Sequence, residues 1–125
     1  MKPFLLDTDV LIDFLRGVPP AVEWLEQLQA RPLISVITIA ELRAGMKSGE
    51  EPVLERLIEA VMTCEITPGI ARLGGDFRRR FGPSHGAGLA DALIAATSVT
   101  RNARLVTLNV RHFPMLEDVH RPYEK

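Results

Sequence analysis

The sequence is poor in the residues that typify secreted, membrane-spanning and base-stacking proteins. Its 125 residues include one cysteine, Cys64, so no internal disulfide can form. No secretory leader is visible, and no apolar stretch reaches about 18 residues, the length of a membrane-spanning helix. One Trp, one Tyr and five Phe give no visible platform for stacking bases. We therefore expect a cytoplasmic protein with one domain over residues 1–125.

The net charge is also small, at −1, which argues against nucleic-acid binding by bulk electrostatics. The two halves differ, however. Residues 1–62 hold 6 Lys/Arg against 10 Asp/Glu, or −4, whereas residues 63–125 hold 9 against 6, or +3. The basic half either forms a phosphate-facing rim around an acidic centre or presents ordinary solvated helix faces.

Short apolar runs alternate with helical patterns along the chain. Strands are predicted at 2–6, 33–37, 65–67, 104–108 and 118–121. Helices are predicted from about residue 9 to Gly17 and at 21–30, 38–46, 51–62, 68–81 and 89–100. This alternation predicts an α/β fold with right-handed crossovers and a mainly parallel sheet.

Three carboxylates lie inside apolar runs, namely Asp7, Glu41 and Asp91. Burying three ionised carboxylates costs roughly 10 kcal/mol, which is about the net stability of a small domain. Either these acids line one wet cleft or a cation holds them together. A cluster of hard oxygen ligands without Cys or His is what Mg²⁺ or Mn²⁺ prefers.

Each acid also has a structural explanation of its own. Asp7 or Asp9 could cap the first helix, Glu41 could form a capping box with Thr38, and Asp91 could offset its helix dipole. Helix caps should be exposed and flanked by polar residues, whereas these acids are flanked by apolar ones. The conjunction therefore favours a site, at the sheet edge where parallel strands end.

A divalent ion with a bound water is a centre for phosphodiester hydrolysis. A covalent mechanism is less favoured, because Cys64 lies beside Glu65, whose charge raises a thiol pKa. His85 and His112 stay outside the predicted site, since an isolated loop histidine is more often a surface residue. Asp13 is expected to pair with Arg16 on the first helix.

Four blocks of this sequence resemble those of PIN-domain ribonucleases, most closely the VapC-type toxins. They occur in the family's order, at residues 7–13, 34–45, 89–97 and 105–109. The resemblance implies a PIN-like three-layer sandwich with helices on both faces of the sheet. It further implies an endoribonuclease dependent on Mg²⁺ or Mn²⁺, usually dimeric and inhibited by a VapB-type antitoxin.

Carried over by position, Asp7, Glu41 and Asp91 match the family's principal acids and metal ligands. Thr8 and Thr107 match the hydroxyl residues that orient these acids in the family. Asp9 and Asn109 would support the metal site from outside. The family often has a fourth acid where this chain has Asn109, so operation with one metal ion is the favoured interpretation. Two alternatives stay open: a catalytically silent PIN fold that only binds partners, and a metal-dependent DNA or flap nuclease.

Overall fold

The computed structural model describes residues 1–124. Five strands form one sheet, at Phe4–Leu6 (β1), Leu33–Ser35 (β2), Met62–Cys64 (β3), Arg104–Val106 (β4) and Val119–His120 (β5). Helices lie at Thr8–Leu15 (α1), Pro19–Glu26 (α2), Val36–Ala44 (α3), Glu51–Ala60 (α4), Pro68–His85 (α5) and Leu89–Thr100 (α6). A 3₁₀ turn, Val110–His112, follows β4.

All strand pairs are parallel, in the order β3-β2-β1-β4-β5. The first strand is therefore central, with β2 on one side and β4 on the other. The connection after β1 leads to β2 on one side, whereas the connection after β4 leads to β5 on the other side. This change of direction opens a crevice beyond the carboxyl ends of β1 and β4. The predicted α/β fold with a parallel sheet is confirmed.

Side chains alternate between the two faces of the sheet, as the period of a strand requires. Leu6 packs in one core cluster with α1, α2 and α4, whereas its neighbour Leu5 packs in a second cluster with α6. Ile34 and Leu33 divide in the same way. Because each face is covered by helices, the three-layer arrangement is also confirmed.

Helix α6 is held close to α5 by small residues. A Cβ on Gly74 would come within 2.6 Å of Leu93 Cδ2 and 3.2 Å of Leu93 Cα, so α5 can approach α6 this closely only with glycine there. On α6 itself, Ala92, Ala95 and Ala96 are fully buried. This packing fixes the helix that carries Asp91.

Several element boundaries differ from the sequence prediction, among them those of β3, α4 and α5. The third strand is Met62–Cys64 and not 65–67, because Cys64 is the buried partner of Ser35 in the sheet. Helix α4 accordingly ends at Ala60. Helix α5 continues past Pro83 to His85 and ends where Gly86 adopts φ 69°, a left-handed conformation that glycine adopts readily.

One predicted side-chain role is wrong, and one acid predicted on the helix surface is buried. The hydroxyl of Ser35 caps α3 by accepting from the Ile37 amide at 3.1 Å, so Thr38 is no cap and lies fully buried in the first turn. Asp13 is buried as well and accepts from the Tyr123 hydroxyl at 3.0 Å. Among residues 1–124, no helix combines the length and apolarity needed to cross a membrane.

Candidate active site

Asp7 stands directly after the central strand and is 5% exposed. Its Oδ1 accepts a hydrogen bond from the Thr8 amide at 2.8 Å, which caps α1. Its Oδ2 accepts from the Thr107 hydroxyl at 2.7 Å, and Thr107 directly follows the neighbouring β4. The carboxyl ends of two adjacent strands thus orient this acid. Asp7 therefore caps α1 and also faces the acids Asp9 and Asp91, whose charges act on it.

Asp9 lies next to Asp7 and is tied to the segment after β4. Its Oδ2 accepts from the Leu108 amide at 2.9 Å and from the Thr107 hydroxyl at 3.2 Å. The Asn109 side-chain amide donates to the same oxygen at 3.3 Å. A carboxylate in place of Asn109 could not donate this bond and would repel Asp9, so the amide suits its acidic neighbour.

Glu41 is exposed, and the expectation of a buried carboxylate there is wrong. Its position in α3 turns it toward solvent, while the following residue, Leu42, points into the core. It nevertheless reaches the cluster, because the Thr8 hydroxyl donates to its Oε1 at 2.6 Å. The same hydroxyl lies 3.1 Å from that of Thr38. Thr8 therefore connects Glu41 to the helix start that carries Asp7.

Asp91 lies in the first turn of α6, and its side chain is 27% exposed. Its Oδ2 is 3.4 Å from His112 Nδ1. Sequence reasoning missed His112, although the large apolar residue directly after it was a signal that this turn is anchored. The next residue, Phe113, is fully buried in the core, so it anchors the turn and holds His112 near the sheet edge.

Burial and like charge act together on these acids. Burial, with the charges of Asp9 and Asp91, raises the pKa of Asp7 to about 7 against the hydrogen bonds from Thr107 and Thr8. Burial also raises the pKa values of Asp9 and Asp91, and the charge of His112 opposes this rise at Asp91. The carboxyl edge of the sheet therefore concentrates negative charge that its own hydrogen bonds only partly offset.

The donor chemistry of this edge suits a hard divalent cation, since carboxylate and amide oxygens surround it. A cation would also compensate the desolvated Asp7 carboxylate. Within residues 1–124, however, no three Asp, Glu, His or Cys side chains stand close enough together to hold an ion directly. The charge of Asp9 and, to a smaller extent, that of Asp91 act on Asp7. Asp7 and Asp91 would hold the ion, and Glu41, which the Thr8 hydroxyl connects to the same helix start, would reach it through water.

The sequence family follows from a direct comparison. A model of the PIN domain matches residues 4–116. The chain belongs to the PIN-domain family. This PIN domain is 45% identical over 122 residues to Ribonuclease VapC10 of Mycobacterium tuberculosis, which covers 95% of this chain and 92% of that relative. It is 41% identical over 127 residues to Ribonuclease VapC19 of the same species, covering 95% and 98%.

Solved structures agree with the sequence relatives. A toxin–antitoxin complex from Klebsiella pneumoniae contains a chain that matches this PIN domain with a TM-score of 0.83 and 30% identity, covering 97% of this chain and 98% of that one. FitAcB from Neisseria gonorrhoeae matches with a TM-score of 0.72 and 27% identity, covering 95% and 97%. The resemblance to VapC-type PIN domains is thus confirmed.

Proposed function

We propose that this PIN domain is a metal-dependent endoribonuclease, the toxin of a toxin–antitoxin pair. The observation that carries the proposal is the gathering of Asp7, Asp9 and Asp91 at one edge of the sheet, where burial raises the pKa values of all three. The relatives named as ribonucleases support RNA as the substrate. Cytoplasmic action is part of the same proposal, because the RNA substrate is there.

The divalent ion, when bound, would lower the pKa of a water molecule and neutralise charge on the phosphate oxygens. Asp7, Asp91 and Glu41 would hold it, directly or through water, and we assign Mg²⁺ or Mn²⁺ because the ligands are hard oxygens. Thr107 and Thr8 keep Asp7 and Glu41 in place by hydrogen bonds. Water would add to the phosphorus and the P–O3′ bond would break, leaving a 5′-phosphate and a 3′-hydroxyl.

Asn109 sharpens the proposal. Its neutral amide adds no charge to the site and donates to Asp9 Oδ2, so it leaves fewer charged ligands for a second ion. Operation with one metal ion is therefore the expected mode. Titration of bound Mn²⁺ at equilibrium, with Asn109→Asp for comparison, would give the stoichiometry.

The partner is proposed to be a VapB-type antitoxin, because toxin–antitoxin complexes are among the matching structures. We also propose a homodimer, which sedimentation of the purified chain would measure. Co-expression of the neighbouring reading frame should suppress any growth arrest that the chain causes.

The decisive experiment is cleavage of single-stranded RNA by the purified chain in Mg²⁺, in Mn²⁺ and in EDTA. We expect cleavage only with a divalent ion, and products with 5′-phosphate ends. Asp91→Asn should lose activity at least about 100-fold, since even outer-shell changes at metal sites cost 10–100-fold. No cleavage in either metal would indicate a silent binding fold, whereas equal activity of the variant would contradict the role of Asp91. Equal rates of cleavage of DNA and RNA would indicate the metal-dependent DNA or flap nuclease.

A further inference from the structure

A groove of about 350 Å³ is lined in part by His112, the residue beside Asp91, and the roles proposed for the acids do not use it. Its volume lies at the lower end of the roughly 300–1,000 Å³ typical of ligand sites. The groove forms between the end of α5 and the turn that follows β4. Its lining residues are Ser84, His85, Gly86, Arg111 and His112.

The two walls of the groove are held in place by different means. On the α5 side, the helix ends at Gly86, and the Ser84 hydroxyl and His85 Nδ1 are hydrogen-bonded at 2.7 Å. The His85 ring also meets the edge of Phe81, with ring centroids 6.2 Å apart. On the other side, buried Phe113 anchors the 3₁₀ turn that carries Arg111.

Charge distinguishes the groove from the acid cluster next to it. Its lining includes the exposed guanidinium of Arg111 and two imidazoles, and none of its lining residues is acidic. His112 joins the two regions, since its Nδ1 is 3.4 Å from Asp91 Oδ2. A phosphodiester approaching the acids is repelled by them, so a cation and N–H donors beside the acids would offset that repulsion.

We propose that this groove binds the RNA phosphate next to the one that is cut, with Arg111 as the principal contact and His85 as the second. The inference rests on the proposed ribonuclease function and adds the means by which the strand is held. Arginine suits phosphate because its planar guanidinium can donate two parallel hydrogen bonds. Contacts of this kind fix the register of a nucleic acid without reading its bases.

The test compares Arg111→Gln with Arg101→Gln, which removes the same charge. Arg101 follows α6 and lies ten residues beyond Asp91, or about 15 Å along the helix. Cleavage of a labelled single-stranded RNA should show KM raised about tenfold by Arg111→Gln, because a charge-assisted phosphate contact is lost, with kcat changed less than about twofold. The control should match the wild type.

Binding gives a second readout that does not depend on cleavage. In an Asp7→Asn background, fluorescence anisotropy with the same RNA should give a Kd about tenfold higher for Arg111→Gln. The slope of log affinity against log salt should become shallower by about 0.7, the value for one lost phosphate contact on a single strand. His85→Gln should raise the Kd by a smaller factor, and the double variant should exceed either one.

The outcomes separate the two proposals. A wild type that cleaves RNA, combined with an Arg111→Gln variant of unchanged KM, Kd and salt slope, overturns the groove and leaves the ribonuclease function intact. An Asp7→Asn background without measurable RNA affinity also overturns it. Absence of cleavage by the wild type overturns the ribonuclease function instead, whatever the binding results.

Discussion

The two edges of the sheet are both rich in charged side chains but treat them differently. At the amino edge, Arg104 at the start of β4 donates to Asp118 at 2.9 Å. Arg31, just before β2, donates to the backbone carbonyls of Glu59, Ala60 and Val61 at 2.9–3.2 Å. Each of these cations therefore has a partner: a carboxylate neutralises the charge of Arg104, and carbonyl oxygens accept the hydrogen bonds of Arg31, as on an ordinary protein surface.

At the carboxyl edge, side chains of one sign lie together. Asp7, Asp9 and Asp91 act on one another or are desolvated, and neutral hydroxyl and amide groups are their main donors. Such an arrangement costs stability and persists where it serves function. The comparison teaches that charge imbalance, more than the presence of charge, distinguishes the functional edge.

The largest expected effect breaks the carboxyl edge alone. Asp7→Asn should reduce RNA cleavage at least about 100-fold, because it removes a charge that would hold the metal ion. Its fold should be retained, since the amide oxygen can still accept from Thr8 or Thr107. A cleavage assay with circular dichroism as the check on folding measures both. Asp118→Asn at the amino edge should cleave RNA normally, and a comparable loss there would contradict the assignment.

The pH dependence of stability should report the same imbalance. The pKa of Asp7 is raised to about 7, above its unfolded value of about 3.9, so folding favours its protonated form. This contribution is fully present below about pH 4 and is lost as the pH rises through 7. In EDTA, we compare the free energy of unfolding of the wild type with that of Asp7→Asn. The wild-type value minus the variant value should fall as the pH rises over this range, by on the order of 2–4 kcal/mol in total.

Urea titrations at several pH values would measure this difference. Saturating Mg²⁺ should reverse it above pH 7, since an ion bound only to the folded state stabilises that state. A difference between wild type and Asp7→Asn that does not change with pH would contradict the raised pKa.

A smaller effect is expected from Thr107, whose hydroxyl serves Asp7 and Asp9 at once. Thr107→Val should cost about 1–3 kcal/mol of folding stability at pH 8, because two carboxylates lose a donor. Cleavage should fall about tenfold as Asp7 loses its orientation. Thr107→Ser keeps the hydroxyl and should recover most of both, and a serine variant as impaired as the valine variant would point to packing instead.

The smallest effect is expected at the amino edge. Arg104→Gln removes the bond to Asp118, whose side chain is 54% exposed. Solvent screens such a pair, so the stability loss should be below about 1 kcal/mol and RNA cleavage should not change. Thermal unfolding measures the first and the cleavage assay the second. A loss as large as that of Thr107→Val would mean that the two edges do not differ as described.

Sequence patterns were reliable where a residue's role depends on its immediate neighbours. The strand before Asp7 and the helix around Asp91 were predicted, and so was the strand that leads to Thr107, although it ends two residues earlier than predicted, because apolar period and flanking turns set them. The start of α3 was misplaced, since Ser35 and Thr38 are both acceptable caps locally. Packing decided between them: Ser35 pairs with Cys64 in the sheet, and Thr38 is buried.

The residues alone determined the PIN family, the alternating α/β order and the acids at the ends of strands and starts of helices. Only the tertiary structure decided that Glu41 faces solvent, that Asn109 donates to Asp9 and that His112 stands beside Asp91. The physical reason is range. Periodicity and capping act over a few neighbouring residues. The contact of His112 with Asp91 joins residues 21 apart and that of Asn109 with Asp9 joins residues 100 apart, so both depend on how the helices pack against the sheet.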